Sequence, residues 1–411
     1  MNNADRNHNV SVIIEMKEYI QKLDHRGRWT IALFLYAGMG AIVFQMRGAL
    51  LPNIQNTFSV SESVLGLVSP AGTVGFTAAA LLTGMIAGKI NLKRFLLIGV
   101  ASTAACTLLI GLAPTYFLFL GAMALRGITS GIPGGLARPL LGHLHPEQRG
   151  RIFNLDTAIW AGGATLGPLF ATLVLSFGDW QHAYLIMGFL FIPALIVMFK
   201  TDLPAEKMEE EPLSFDKLQV ILKDPRIMIM AAGLFLSVGV EGGFFTWLPY
   251  YLTESNFTQS VANLTLSGFL AAYVPGRLLN SWFAERFKYT TLLLVNSLAV
   301  IASLSAAFVF ADGYLKVIAI IAAGFFISTI WPNLFSLGIK AFPQHSGPVN
   351  GLVMTFDPLG ISVFPALMGV IADAYTISLA MQLLISPMVA LTLLVFFLKG
   401  LVNGSGGERT A

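Results

Sequence analysis

The chain of 411 residues is 55% hydrophobic and only 11% charged, with a mean hydropathy of +0.72. About 25% charged residues is usual for a water-soluble domain, so this composition excludes one and places the chain in a bilayer. The formal charge of +3 hides an asymmetry between loops that matters more than the total, and the single Cys106 allows no intrachain disulfide.

Residues 1–28 carry Lys17, Glu18, Lys22, Asp24 and His25 among a few apolar residues. Lacking a compact apolar core and a small-residue cleavage site, they read as a cytoplasmic tail with a short amphipathic helix, not as a signal peptide. Apolar windows of roughly 20 residues, enough to cross about 30 Å of hydrocarbon, follow near 29–52, 63–86, 94–113, 116–142, 152–175 and 182–200. Residues 201–226 hold Glu209-Glu210-Glu211-Pro212 and then Leu213, Phe215, Leu218, Val220 and Ile221, an acidic linker leading into an interfacial helix. Six more windows lie near 227–252, 259–282, 289–310, 315–340, 348–371 and 376–399, and Gly404-Ser405-Gly406-Gly407 marks 401–411 as a flexible cytoplasmic tail. The predicted fold is an all-α membrane protein of twelve transmembrane helices, spans one to twelve, with one six-helix bundle over 29–200 and a second over 227–400.

Lys and Arg sort by side. Lys89, Lys93, Arg94, Arg149, Arg151, Lys200, Lys223, Arg226, Arg286, Lys288 and Lys340 fall at one set of loops, whereas Lys316 stands alone at the other. The positive-inside rule makes the basic side cytoplasmic, with both termini there and the chain in the plasma membrane, the cell inner membrane.

Four landmarks recur at one interval: Leu51-Pro52 returns as Leu248-Pro249, Gly150 as Gly347, Gly163 as Gly360 and Pro168 as Pro365, each 197 residues on. A constant offset leaves little room for insertions, so the two halves share element lengths as well as order, the signature of a parallel-repeat transporter. Function is then expected at the seam between them.

Local motifs carry a resemblance to the major facilitator superfamily over nearly the whole chain. The family's loop after span two typically reads Gly-x-x-x-Asp-Arg-x-Gly-Arg/Lys. Ser281-Trp282-Phe283-Ala284-Glu285-Arg286 keeps its acid and base, while Gly84-Met85-Ile86-Ala87-Gly88-Lys89 has Gly88 in place of the acid. Arg126 with Gly131, Gly134 and Gly135 is similar to the family's span four, and Gly163-Ala164-Thr165-Leu166-Gly167-Pro168 to a span-five motif frequent in exporters. Val238-Gly239-Val240-Glu241-Gly242-Gly243 with Trp247-Leu248-Pro249-Tyr250, then Trp331-Pro332-Asn333 and Pro365 to Asp373, resemble spans seven, ten and eleven of the fucose and glucose proton-symporter branch. The first half departs from that branch: Gly48 and Gly134 stand where it carries acids.

Away from span ends, the ionisable residues within spans are Arg47, Arg126, Arg138, Asp156, Glu241, Arg277 and Asp357. Each would cost roughly 2.5–3.5 kcal/mol at a helix centre, so such groups persist where they face protein or water. Glu241, near the middle of span seven, is the candidate for proton coupling, since a carboxylic acid in a poorly hydrated cavity can load and unload a proton; the alternative is a hydrogen-bond acceptor stitching spans together. Asp357, before Pro358, is a second proton site or an anchor for a bend. Arg47 and Arg126 are candidates for substrate contact through the guanidinium fork, with a structural or coupling role open for Arg126. Gln45, Trp247 and Asn333 are further substrate-contact candidates, each also explained as core or interface belt. Arg138 with Asp156, and Arg277 with Glu285 and Arg286, are read as gates at the cytoplasmic side, with Arg277 able to snorkel to the interface.

No phosphate-cradling Gly-Lys-Ser/Thr loop, metal-spaced His/Cys cluster or nucleophile arrangement appears, so no cofactor, metal or enzymatic activity is expected; His143 and His145 read as solvated loop residues. The expected protein is a monomeric secondary transporter in a lipid bilayer whose partners are a proton and a small polar organic solute, sugar-like or anionic, and not nucleic acid. Export of amphiphilic compounds, or a membrane sensor without flux, are the alternatives.

Overall fold

The computed structural model describes residues 24–203, 225–341 and 346–404. The tail before residue 24, most of the expected linker and its interfacial helix (204–224) and residues 405–411 lie outside the described residues. Among those described, the elements are helical. Span one is His25–Ala49 continuing as Leu51–Phe58, and span two is Glu62–Leu65 with Val68–Ile86. Spans three to six are Leu92–Gly111, Tyr116–Leu144, Arg149–Leu175, and Trp180–Leu190 with Ile192–Lys200. Spans seven to nine are Pro225–Glu254, Gln259–Ala271 with Tyr273–Ala284, and Tyr289–Ser305 with a π turn over Ala306–Phe310. Span ten is Gly313–Ile327 with Ile330–Ala341, span eleven Ser346–Ala374, and span twelve Ile377–Gln382 with Ile385–Gly404. Eleven of these are long and apolar enough to cross a membrane by length and composition. Span eight is of similar length but carries Asn263, Arg277 and Asn280.

Helix ends are fastened where the sequence supplies short oxygen-bearing side chains. Asp24 accepts from Gly27 N at 2.8 Å, Asn91 from Arg94 N at 3.0 Å and Thr376 from Leu379 N at 3.1 Å, which satisfies first-turn amides that lipid could not.

The 197-residue repeat extends to individual contacts. Span one ends in a left-handed residue at Ser59 (φ 51°) and span seven in one at Asn256 (φ 65°), 197 positions later. Gly163 lies against the carbonyl of Gly38, and Gly360 against that of Phe235; Gly127 lies against the carbonyl of Gly72, and Gly324 against that of Phe269. Each partner is displaced by the same interval as its glycine. A Cβ at any of these four positions would collide with backbone, so glycine permits the close helix crossing on which both halves are built. Gly40, by contrast, faces open space.

Within the first half span five packs on span one and span two on span four; within the second, span eleven packs on span seven. Across the seam span two meets span eleven, span five meets span eight, and span one meets span seven. Span seven is the most enclosed of the eleven apolar spans, 67% of its window being buried against at most 50% in the others, so its side chains are shielded from lipid.

Candidate functional site

The duplicated scaffold carries charges that are not duplicated. One repeat interval from Glu241 lies Phe44, from Arg277 Ala80, from Asp357 Trp160, from Arg47 Phe244 and from Arg126 Ala323. The halves therefore share a backbone plan and differ in chemistry.

In the second half Glu241 of span seven is half-buried and lies beside Arg277 and Tyr273 of span eight and Asp357 of span eleven. The Tyr273 hydroxyl is buried and lies beside the Glu241 carboxylate. Arg277 donates from Nε to the Ser328 carbonyl at 3.3 Å, and its guanidinium lies 5.4 Å from the centre of the Tyr273 ring. It is thus turned into the bundle beside Glu241, and this corrects the expectation that it snorkels to the interface. Asp357 accepts from Trp331 Nε1 at 2.6 Å through Oδ2, leaving Oδ1 unpartnered.

In the first half Arg47 is 3% exposed, donates from Nη2 to Ser69 Oγ at 3.3 Å and lies 4.9 Å from the centre of the Phe44 ring, with Nε unpartnered. Arg126 donates from Nε to Thr107 Oγ1 at 3.2 Å and is close to Tyr36, Tyr184 and Arg47. Phe44 meets Phe245 edge-on at 6.5 Å; Phe245 meets Phe269, and Phe269 meets Tyr273 at 5.5 Å. A row of rings therefore joins Arg47 to Arg277 and Glu241 across the seam.

Other candidates are placed elsewhere. Trp247 is fully buried, donates from Nε1 to the Pro365 carbonyl at 2.9 Å and packs on Tyr250, so it ties span seven to span eleven and shows no surface to a solute in this conformation. Asn333 is 1% exposed and exchanges reciprocal amide hydrogen bonds of 3.0 and 2.9 Å with Asn280, which uses both groups to hold span ten to span eight. Gln45 is fully buried against Gly167 of span five, with both amide atoms unpartnered. Arg138 donates to Asp156 at 2.9 Å; the acid is buried and the base reaches solvent. Arg286 stacks 3.5 Å from the centre of the Trp282 ring, and Glu285 is exposed, so the two do not form a pair with each other. His145 is not a solvated loop residue: its Nε2 lies 2.7 Å from Thr30 Oγ1.

A second constellation was not singled out from the sequence. Tyr250 donates to Glu62 Oε1 at 2.6 Å, Ser63 to the Asp373 carboxylate, and Gln259 to the Ala49 carbonyl at 3.1 Å and to Asn53. Ser69 donates to the Ile361 carbonyl at 2.8 Å, Asn263 to Thr172 at 3.1 Å and Ser267 to the Thr165 carbonyl at 2.9 Å. All of these bonds join the halves, and all lie in the halves of the helices away from the basic loops. Near the basic end, span four packs within the first half and Ile330–Ala341 within the second. The seam is closed at the end opposite the basic loops. A cavity of about 350 Å³ lies apart from the charged residues, between spans eight, nine and ten, lined by Leu279, Asn280, Phe283, Val295 and Phe325 among others. No cluster able to hold a metal ion occurs among the described residues.

Twelve helices in two related halves, with ionisable groups gathered deep within them, define a membrane transporter. The family model "Major Facilitator Superfamily" matches residues 30–263 and 251–405, and the chain belongs to that superfamily. It is 24% identical over 385 residues to the "Glucose/galactose transporter" of Brucella abortus biovar 1 (strain 9-941), covering 89% of this chain and 92% of that protein. It is 23% identical over 383 residues to "Protein TsgA" of Escherichia coli O6:K15:H31 (strain 536 / UPEC), covering 91% and 94%. Among solved structures it is similar in fold to a bacterial homolog of the human lysosomal transporter Spinster in an inward-facing and occupied conformation (TM-score 0.81, 14% identity, 92% of this chain and 97% of that one). The E. coli fucose:proton symporter FucP is also similar (TM-score 0.61, 22% identity, 90% and 98%).

Proposed function

We propose that the chain is a proton-coupled secondary transporter that moves a small polar organic solute across the plasma membrane as a monomer, its halves over 29–200 and 227–400 rocking about the seam. The observation that carries this reading is the position of Glu241: a partly accessible carboxyl in the most enclosed span, beside a guanidinium that has a second set of partners. When Glu241 is ionised, Arg277 offsets its charge; when Glu241 takes a proton, Arg277 is still held by the Ser328 carbonyl and the Tyr273 ring. Both protonation states are therefore accommodated without stranding a charge, as a carrier that loads and releases a proton requires.

The loop charges make the basic end cytoplasmic. The hydrogen-bonded end of the seam is then external, and this conformation opens inward. Relatives named for glucose, galactose and fucose transport support uptake of a polar solute. Export of amphiphiles gains less support, because Gly163 of the exporter-like motif seats span five on span one through the same contact that Gly360 makes in the other half.

Proteoliposomes loaded by a pH gradient test the reading. Wild type is expected to accumulate solute when the outside is acidic, and Glu241→Gln to lose gradient-driven accumulation while retaining exchange. Unchanged pH dependence in Glu241→Gln would remove the proton role.

A further inference from the structure

Among the described residues, the carboxylates of the first half lie elsewhere, and none is paired with its two deep arginines. Glu62 accepts from Tyr250, Asp156 from Arg138 and Asp202 from Lys93; Asp24 and Asp179 cap helices, and Glu147 sits in the loop after span four. Arg47 and Arg126 are close enough to repel one another, and the other polar groups around them are the hydroxyls of Ser69, Thr107, Tyr36 and Tyr184 and the thiol of Cys106, none of them a carboxylate. Arginine does not discharge by losing its proton, so two guanidiniums in this setting call for an anion from outside the chain. The place is furnished for one: Arg47 Nε and the Tyr184 hydroxyl are buried donors with no partner, at residues 3% and 0% exposed. The second half is the reverse, holding two acids against one guanidinium.

We propose that the solute is an organic anion whose carboxylate is bound between Arg47 and Arg126 with the Tyr184 hydroxyl, so that the first half selects the solute while Glu241 and Asp357 of the second half serve the proton. This rests on the transport reading above and decides, within it, for an acid over a neutral sugar. Arg47 and Arg126 act as paired donors, and Tyr184 adds a neutral hydrogen bond that fixes the orientation of the carboxylate.

Thermal stability of the purified full chain, read with sodium lactate, sodium succinate, inorganic phosphate, fucose and glucose at matched ionic strength, tests it. A carboxylate is expected to raise the melting temperature in a saturable way and the neutral sugars to leave it unchanged. Arg47→Gln and Arg126→Gln should each weaken that binding about tenfold or more. Without ligand, each of these variants should melt higher than wild type, because one of two repelling charges is gone; a structural role for either arginine predicts the opposite. Stabilisation by fucose or glucose with wild-type affinity in both variants overturns the proposal, as does a panel in which neither carboxylate binds or in which phosphate alone does. Proton-driven uptake of a neutral sugar that Glu241→Gln abolishes would leave the transport reading standing while overturning this one. Carboxylate binding without any flux would do the reverse.

Discussion

Gly48 of span one rests so close to the backbone carbonyl of Phe245 in span seven that a Cβ at residue 48 would overlap it. The fucose and glucose symporter branch, which the second half resembles, carries an acid at this place. Here no side chain fits while the halves are shut at this end. Gly134, the other departure, is similarly occupied: a Cβ there would lie 2.7 Å from the Phe76 ring. Gly48→Val should therefore hold open the end of the seam opposite the basic loops. With Cys106 replaced, a cysteine at the fully buried Thr246 should react with an impermeant maleimide several-fold faster in Gly48→Val than in its absence; equal rates would show that the closure does not depend on this contact.

The bond from Tyr250 to Glu62 crosses the same end of the seam at 2.6 Å. A hydrogen bond to a charged group contributes about 1.5–3 kcal/mol when buried, and partial exposure of Glu62 reduces this to about 1 kcal/mol. Tyr250→Phe should shift the population toward the state open at this end about fivefold. Glu62→Gln in the same background should add little, since the bond is already gone. Full additivity of the two changes in the labelling assay would argue that they act separately.

Arg138 and Asp156 differ in what they leave behind. Removing the acid leaves a guanidinium that reaches solvent, whereas removing the base strands a buried carboxylate. Arg138→Ala is expected to cost roughly 1–3 kcal/mol of stability and Asp156→Ala less than that. Melting temperatures in one detergent check the order; a greater loss in Asp156→Ala would contradict it.

Asn280 and Asn333 satisfy one another, so Asn333→Leu should cost roughly 1–3 kcal/mol by orphaning Asn280. The double change to Leu should recover much of that loss, with solute affinity near wild type. A large loss of affinity in the stable double variant would return Asn333 to the substrate site.

Much of the scaffold is legible in the residues because it is periodic. The 197-residue offset locates the spans and pairs Gly163 with Gly360, and each glycine turns out to meet a carbonyl of its own half, Gly38 and Phe235, themselves 197 residues apart. Charged residues deep in spans could be named one by one, since each is conspicuous against lipid. What they touch was not legible, because a side chain's partner depends on helix rotation and tilt that a single span does not encode. Trp247 and Asn333 look like solute contacts in the sequence and are used up by Pro365 and Asn280. Arg277, read from the sequence as a gate able to snorkel to the interface, lies beside Glu241, in a span that breaks at Ala272. The pairing of Glu62 with Tyr250 and of Ser63 with Asp373 was not legible for a different reason. These residues sit at span ends, where a polar residue is unremarkable, and only the meeting of the two halves gives them a role.

Alternating access requires the two ends of the seam to move in opposite senses. Spin labels at the exposed positions Ser176 and Asp312 report on the hydrogen-bonded end, and labels at Arg151 and Lys288 on the basic end. Distances in lipid nanodiscs, with and without Gly48→Val, should show the first pair lengthening as the second shortens. Two pairs that stay fixed, or that lengthen together, would contradict a rocking of the halves about Arg47 and Glu241.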